Sequence, residues 1–114
     1  MTDVEALFDE AAAQLLADDP ALQRGRMFTA TGLKIGGMFF AMVVRGELVV
    51  KLPAARVDEL EASGTGRRFE PGKGRRMKEW IGLRPDDEAA CEAYMAEARG
   101  FVGATAPSPS SRAA

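Results

Sequence analysis

The run "MFFAMVV", residues 38–44, limits the fold more than any other stretch, because it is apolar at every position and lies between Gly36-Gly37 and Arg45-Gly46. Its β-branched and aromatic residues predict a strand, and the flanking dipeptides predict hairpin turns, although arginine would be strained at the positive φ of such a turn. One face of the strand carries Met38, Phe40, Met42 and Val44, and the other carries Phe39, Ala41 and Val43. Helices on both faces would cover it, whereas helices on one face only would leave an apolar strip, interrupted by Lys34 and Lys51, that favours a homodimer.

Segments of similar character flank this strand. "RGRMFTA" and "LKI" precede it and "ELVVKL" follows it, each of them short and set off by a glycine-containing turn. Together with residues 38–44 they predict an antiparallel meander of three or four strands. A further strand is predicted at "MKEWIGL", residues 77–83, in which Trp80 and Ile81 face opposite sides.

Three segments have the spacing of amphipathic helices, at about residues 3–17, 53–64 and 84–102. Thr2 and Glu5 fit a capping box at the start of the first, a proline suits the first turn of the second, and acidic residues begin the third. The apolar faces predicted for the three helices are, in order, Val4, Phe8, Ala11 and Leu15; Ala54, Val57 and Leu60; and Cys91, Tyr94, Ala98 and Phe101.

These elements predict an α+β fold, in which an antiparallel sheet of four to five strands packs with about three helices in the order α-β-β-β(-β)-α-β-α. A chain of 114 residues fits one domain with a modest core. We expect this domain to span residues 1–102, and the small, polar, proline-containing segment 103–114 to be a disordered tail.

The composition argues against the common devices of catalysis. The chain has no histidine, which excludes histidine-activated nucleophiles, imidazole bases and histidine-containing metal sites. The single cysteine, Cys91, allows no internal disulfide and stands in the middle of a predicted helix as a small hydrophobe. The carboxylate pairs Asp18-Asp19 and Asp86-Asp87 are expected to cap the starts of helices. We therefore predict a protein that is not an enzyme and uses no metal or cofactor.

Charge and hydropathy limit the compartment and the partners. A net charge of −2 provides no overall basic field, so a site for nucleic acid would have to be local. The longest apolar run is far shorter than the roughly 20 residues of a membrane helix, and the acidic start "MTDVEALFDE" is unlike a signal peptide. We expect a cytoplasmic protein without a membrane segment.

A local basic cluster lies in and beside the loop "RFEPGKGRRMKEW", residues 68–80. Its members, which are the candidate contacts for an anion or a partner, are Arg67, Arg68, Lys73, Arg75, Arg76 and Lys78. The glycines lack the spacing of a phosphate-binding loop, and a strand rather than a helix follows them. Three interpretations stay open: a solvated turn anchored by Phe69 and Trp80, a contact for an anion or nucleic acid, or a contact for an acidic protein surface, including the chain's own first helix.

Ordered blocks along the chain carry a family resemblance. They are "RMF" at 26–28, Gly32, "GGMFFAMV" at 36–43, "GELVVKL" at 46–52, "FEPGKGRRMKEWIGL" at 69–83 and the acidic start of the last helix. These blocks resemble the N-terminal domain of the TfoX/Sxy family over about residues 5–102, with "MFTA" standing where the family usually has "MFGG".

The resemblance implies a compact domain with an antiparallel sheet flanked by helices, similar to the secretion chaperone-like folds, and it implies no catalytic residues. Fuller members of the family are bacterial competence regulators that commonly append a second, helical domain, which we do not expect here. Residues and resemblance together predict a bacterial, non-enzymatic regulatory or protein-interaction module whose partner is an unknown protein or a second copy. The alternative is binding of nucleic acid or another anionic ligand through residues 67–78, with nucleic acid the less favoured partner.

Overall fold

The computed structural model describes residues 3–27, 30–69 and 78–105. Within these ranges the helices are α1 (Val4–Asp18), α2 (Ala54–Ala62) and α3 (Glu88–Thr105). The strands are β1 (Leu22–Met27), β2 (Ala30–Ile35), β3 (Met38–Val44), β4 (Glu47–Lys51), β5 (Gly66–Arg68) and β6 (Trp80–Leu83). Residues 106–114, most of the predicted tail, lie outside the described residues.

The strands form one antiparallel sheet in the order β1-β2-β3-β4-β6-β5. The first four strands are consecutive hairpins, as the predicted meander requires, and β6 returns after α2 to pair with β4. The predicted α+β class is confirmed, but the sheet formed by the described residues has six strands rather than four to five. The additional strand is β5, whose three residues "GRR" have none of the apolar alternation by which a strand is recognised in sequence.

All three helices pack on one face of the sheet. Their buried side chains form a single core with the inward-facing side chains of the central strands. The helices contribute Val4, Phe8, Ala11, Ala12, Leu15, Val57, Leu60, Cys91, Met95, Ala98 and Val102, and the strands contribute Leu22, Leu33, Phe40, Ala41, Leu48, Val50, Ile81 and Leu83. The alternative with helices on opposite faces is therefore wrong for the described helices, and we call the other side of the sheet the open face.

A β-bulge in β3 decides which residues face the helices. Leu33 pairs with Ala41, but Lys34 pairs with Phe39, which leaves Phe40 as an extra residue in β3. Phe40 and Ala41 are consequently both buried in the core, whereas Phe39 lies on the open face beside Lys34. The simple alternation predicted for β3 is wrong for this reason, because an apolar run shows no sign of an inserted residue.

Two hydrogen-bonded ion pairs connect the helices. Arg99 Nε of α3 donates to the Asp19 carboxylate at 2.9 Å, and Arg56 Nε of α2 donates to Glu97 of α3 at 2.9 Å. The bond from Arg99 is the main reason that the pKa of Asp19 lies below its ordinary value. Asp19 was expected to begin a helix, but it follows α1, and its Oδ1 accepts the amide of Ala21 in the turn to β1.

The start of α1 differs in detail from the prediction. Asp3, rather than Thr2, is the N-cap, because its Oδ1 accepts the amides of Glu5 at 3.0 Å and Ala6 at 3.4 Å. A carboxylate at this position satisfies amides that the first turn leaves unpaired and also interacts favourably with the helix dipole. The predicted buried face of α1 is confirmed.

The buried faces of the other two helices differ from the predicted ones. In α3 the fully buried side chains are Cys91, Met95, Ala98 and Val102, while Tyr94 and Phe101 are only partly buried at the margin of the core. In α2 the buried side chains are Val57 and Leu60, and Ala54 is exposed. The four-residue steps in α3 place Met95 directly below Cys91, which is the spacing that the prediction missed.

Candidate functional site

The basic residues singled out in the sequence separate into two groups. Arg67 and Arg68 form most of β5, and Lys78 precedes β6 with an exposed side chain. Lys73, Arg75 and Arg76 lie outside the described residues. The surroundings of the site are therefore defined at the two arginines of β5.

A cleft of about 380 Å³ opens beside β5, and we call it the β5 cleft. The β3–β4 turn contributes Val44, Arg45 and Glu47, α2 contributes Glu61, and the segment at β5 contributes Arg67, Arg68 and Phe69. Three arginines face two glutamates in this lining, which gives the cleft an excess of positive charge. The mixed lining suits a ligand or partner that presents a carboxylate or phosphate together with an apolar group.

Arg67 is the more accessible arginine of β5. Its side chain is 83% exposed, and its Nη2 lies 3.9 Å from Glu47 Oε2. Glu47 also accepts from Arg84 Nε at 3.4 Å. Exposed ion pairs of this kind contribute only about 0–1 kcal/mol. Arg67 can therefore exchange Glu47 for an incoming anion at little cost.

Arg68 is held against α2 instead. Its side chain is 17% exposed, and its guanidinium pairs with Asp58 and lies 3.9 Å from Glu61 Oε1. The main-chain N–H of Arg68 donates to Glu61 Oε2 at 3.2 Å. Arg68 Nε is buried without a hydrogen-bond partner among the described residues. Arg68 thus fixes β5 to α2 and retains one guanidinium donor beyond those that its partners use.

Arg45 completes the cleft and was not predicted as a site residue. Its φ is 52°, and Gly46 follows with a φ of 76°, so the β3–β4 turn has the two positive φ angles of a type I′ hairpin. A left-handed backbone costs a residue with a side chain about 1–2 kcal/mol. Strained residues of this kind concentrate at functional sites, and the Arg45-Gly46 dipeptide was the sequence signal for this one.

The open face adjoins the β5 cleft through Val44. Cross-strand neighbours on this face are Met42 with Val49 and Lys51 with Trp80. Met42 and Val49 are already 4% and 0% exposed, whereas Phe39, Val44 and Trp80 are half-buried. The open face therefore offers a partly accessible apolar surface.

Lysines border this apolar surface, as the sequence indicated. Lys34 Nζ lies 5.5 Å from the centroid of the Phe39 ring, a cation–π geometry. Lys51 Nζ lies 4.0 Å from Glu79 Oε1. These charges limit the apolar area and favour a partner with acidic groups around an apolar centre.

The acids of α1 do not pair with the arginines of β5. In the described residues, Asp9 of α1 lies 3.9 Å from Arg24 and Asp19 bonds to Arg99. The acids that engage Arg67 and Arg68 come from β4 and α2. A contact between the first helix and the basic segment is therefore not formed at β5.

Cys91 has the surroundings of a core residue. Its side chain is fully buried, and its Sγ donates to Met95 Sδ at 3.7 Å. Burial, reinforced by Glu88 and Glu92, raises the pKa of the thiol to about 11. The thiolate required for nucleophilic chemistry is therefore scarce at neutral pH.

Neither a metal cluster nor a membrane-spanning helix is found in residues 3–27, 30–69 and 78–105. No group of three or more aspartate, glutamate, cysteine or histidine side chains comes together there to hold a metal ion. No helix in the same ranges has the length and apolar character needed to cross a bilayer.

The fold and the site define a two-layer α+β domain whose sheet is covered by helices on one face, bears an apolar surface on the other and has an arginine-lined cleft at its β5 edge. Residues 14–99 match the family model of the TfoX N-terminal domain. This match covers most of the chain, and the protein belongs to the TfoX N-terminal domain family, which confirms the resemblance seen in the sequence. Comparisons with curated proteins and with solved structures gave no match.

Proposed function

We propose that the protein is a non-enzymatic interaction module of a bacterial regulatory system, comparable in role to the N-terminal domain of competence regulators. It would act in the cytoplasm without a cofactor. The observation that carries this proposal is the continuity of the open face with the β5 cleft at Val44. An apolar surface beside a charged cleft is the arrangement found in many protein interfaces, where an apolar centre has a polar rim.

The partner is expected to place an apolar group against Phe39, Val44 and Trp80 and an acidic group in the β5 cleft. A second copy of the chain is one such partner, because open apolar sheet faces can pair across a two-fold axis. An unrelated regulatory protein is the other. Both forms predict that Val44 lies inside the interface.

Site-directed photo-crosslinking tests this proposal. A photo-reactive residue at Val44 should yield a discrete crosslinked product in bacterial cells, and Phe39→Lys should abolish it by placing a charge in the apolar contact. The matched control is Ala54, which is exposed on α2 in the helical layer. A product of twice the chain mass indicates a homodimer, and sedimentation over a concentration series should then show reversible association.

Absence of a product at Val44, or the same product from Ala54, contradicts an interface on the open face. A chain that remains monomeric at all concentrations contradicts the homodimer alone. Loss of the crosslink must be accompanied by an unchanged circular dichroism spectrum, because an unfolded variant would lose it as well.

The second candidate function is binding of an anionic ligand or nucleic acid through residues 67–78. Two features favour it: Arg68 Nε is buried without a hydrogen-bond partner among the described residues, and Arg67 is exposed. Labelled single- and double-stranded DNA should then bind with a steep loss of affinity as salt rises. Arg45→Glu combined with Arg67→Glu should abolish this binding, and DNA that fails to bind at low salt removes the nucleic-acid form of the proposal.

A further inference from the structure

We propose that the free edge of β1 docks an extended protein segment that carries acidic side chains at alternating positions. β1 stands at one end of the sheet and pairs with β2. None of the described elements pairs with its other side. The proposal goes beyond the interaction function proposed above, because it concerns a surface separate from the open face and the β5 cleft.

The two edges of the sheet differ in how their backbone groups are satisfied. At the opposite edge, β5 has three residues, and the Arg68 N–H that points outward is taken by Glu61 Oε2 at 3.2 Å. β1 has six residues, and within the described ranges no helix side chain accepts a hydrogen bond from the amides on its outer side. A long uncovered edge strand is a template for an added strand.

The hydrogen-bonding phase of β1 identifies the available groups. The Leu22 N–H donates to the Asp19 carbonyl at 3.1 Å, so it points away from β2. Since the backbone groups of alternate residues point to the same side of an antiparallel strand, the N–H and C=O groups of Arg24 and Arg26 also point outward. These two residues present the main-chain donors and acceptors that an added strand requires.

The side chains of the same two residues supply the charge. Arg24 pairs in register with Leu33 of the core, so both arginines project on the helical side of the sheet at the edge. Both are exposed, and the one ion pair of Arg24 with a described residue is the exposed pair with Asp9, at 3.9 Å. Arg26 has no ion pair with any described residue. An added strand with carboxylates two residues apart would place one opposite each arginine.

A second copy of the chain is a poor occupant of this edge. Antiparallel pairing of β1 with its own copy about a two-fold axis places Arg24 opposite Arg24 or opposite Arg26 in the registers that pair most of the strand. Like charges directly opposite each other destabilise a strand pair. The arginines therefore disfavour self-pairing and favour an acidic strand, which is specificity by repulsion as well as attraction.

The start of β1 is held in place before any partner arrives. Asp19 receives the Leu22 N–H on its carbonyl, the Ala21 amide on Oδ1 and the Arg99 guanidinium on Oδ2. The turn into β1 is thereby tied to α3. A pre-ordered edge lowers the entropy that a binding segment must overcome.

Titration with a designed peptide tests the proposal. The probe is an acetylated peptide of alternating threonine and glutamate, and the comparison peptide has lysine in place of glutamate. We expect the glutamate peptide to bind the full chain in NMR titrations, to shift the amides of Arg24 and Arg26, and to slow their hydrogen exchange. The lysine peptide should leave these amides unchanged.

Two kinds of variant separate the contribution of side-chain charge to binding from that of the main-chain hydrogen bonds. Arg24→Glu combined with Arg26→Glu should weaken binding by about tenfold or more, because two attractive cross-strand pairs become repulsive. Arg24→Pro removes an outward N–H at an edge where proline is tolerated, and it should weaken binding more than Arg24→Ala does. Arg67→Glu, on the opposite edge, is the matched control and should bind as the wild type does.

Several results would overturn the proposal. They are failure of the glutamate peptide to bind at millimolar concentration, equal binding of the lysine peptide, and amide shifts at Arg67 or on the open face instead of on β1. Equal affinity of the Arg24→Pro and Arg24→Ala variants would remove strand addition. The crosslink at Val44 is measured separately, so that failure at β1 and failure of the open-face interface can be told apart.

Discussion

The two faces of the sheet are made from the same strands, but one is packed against the helices and the other keeps partly exposed apolar groups. On the covered face, Phe40 and Ala41 sit side by side at the bulge beneath the helices and are fully buried. On the open face, Phe39 lies beside Gly32 with a lysine over its ring. The covered face accounts for stability, while the open face keeps partly exposed apolar groups that stability alone does not require.

The difference shows how a small domain can keep a binding surface without losing its core. Ordinary strand alternation turns Phe39 and Phe40 to opposite faces, and the residue inserted at Phe40 lets Phe40 and Ala41 both face the core. Phe40 joins the core and Phe39 is left for the open face. Substitutions at matched positions on the two faces test whether the faces contribute differently to stability.

The largest contrast is expected between the two phenylalanines. Phe40→Ala should lower the free energy of unfolding by about 3–5 kcal/mol, because it leaves a cavity in a closed core. Phe39→Ala should lower it by about 1 kcal/mol, the typical cost of a change at a half-buried position. Urea denaturation of both variants provides the measurement. Equal losses would mean that the two faces are not energetically distinct.

The next effect is expected at Gly32, where the open face has no space for a side chain. A Cβ at this position would lie 2.7 Å from the Ala41 carbonyl oxygen and 2.9 Å from the Phe39 ring. Gly32→Ala should therefore lower the free energy of unfolding by about 1–3 kcal/mol through overpacking. Gly100→Ala is the control, since a Cβ at Gly100 meets nothing within 4 Å.

Gly100→Ala should instead raise the free energy of unfolding by about 0.4–1 kcal/mol, because alanine restricts the unfolded chain and favours a helix. Thermal melting followed by circular dichroism measures both glycine variants. A neutral Gly32→Ala would show that Phe39 and its strand can move away, and the packing described for the open face would then be wrong.

A smaller effect is expected from the turn beside the open face. Arg45→Asn should raise the free energy of unfolding by about 0.5–1 kcal/mol, because asparagine adopts positive φ more readily than arginine. The same variant should lower the affinity of any ligand that binds in the β5 cleft. Arg67 has no strained backbone, so Arg67→Asn should lower the affinity for the ligand without raising the free energy of unfolding. A destabilised Arg45→Asn variant in chemical denaturation would contradict the assigned strain.

The smallest expected effect is a change of stability with pH at Asp19, which lies in the helical layer. The Arg99 bond lowers the pKa of Asp19 from 3.8, so the carboxylate contributes stability above that value and loses it as the pH falls through the lowered pKa. Asp19→Asn should melt below the wild type at neutral pH, and the difference should narrow at lower pH. Asp18→Asn, at an exposed neighbour, is the control. A difference that stays constant with pH excludes this ionisation as the cause.

Much of the fold could be predicted because most elements have strong local signals. The period of α1 predicts its buried face, and Gly36-Gly37 predicts the turn between β2 and β3. The bulge at Phe40 could not be predicted, since every residue of β3 is apolar and no position prefers one face. β5 was missed because its three residues have no apolar alternation and its pairing depends on contacts with β6 and α2.

The candidate site was predicted only in part. The basic cluster drew attention to Arg67 and Arg68, but composition could not show that one is exposed and the other is held by α2. Arg45 could not be predicted as a site residue, because it lines the cleft through the proximity of the β3–β4 turn to β5 in the folded sheet. The edge of β1 depends on strand order, which no local pattern of residues 22–27 determines.

Cys91, the single cysteine of the chain, has a practical consequence. Because its sulfur is fully buried and remains protonated at neutral pH, a thiol reagent can reach it only when the helices separate from the sheet. The rate of its chemical labelling therefore reports how often the native protein opens transiently. Because the chain contains no other thiol, this labelling can be followed in the purified protein without any substitution.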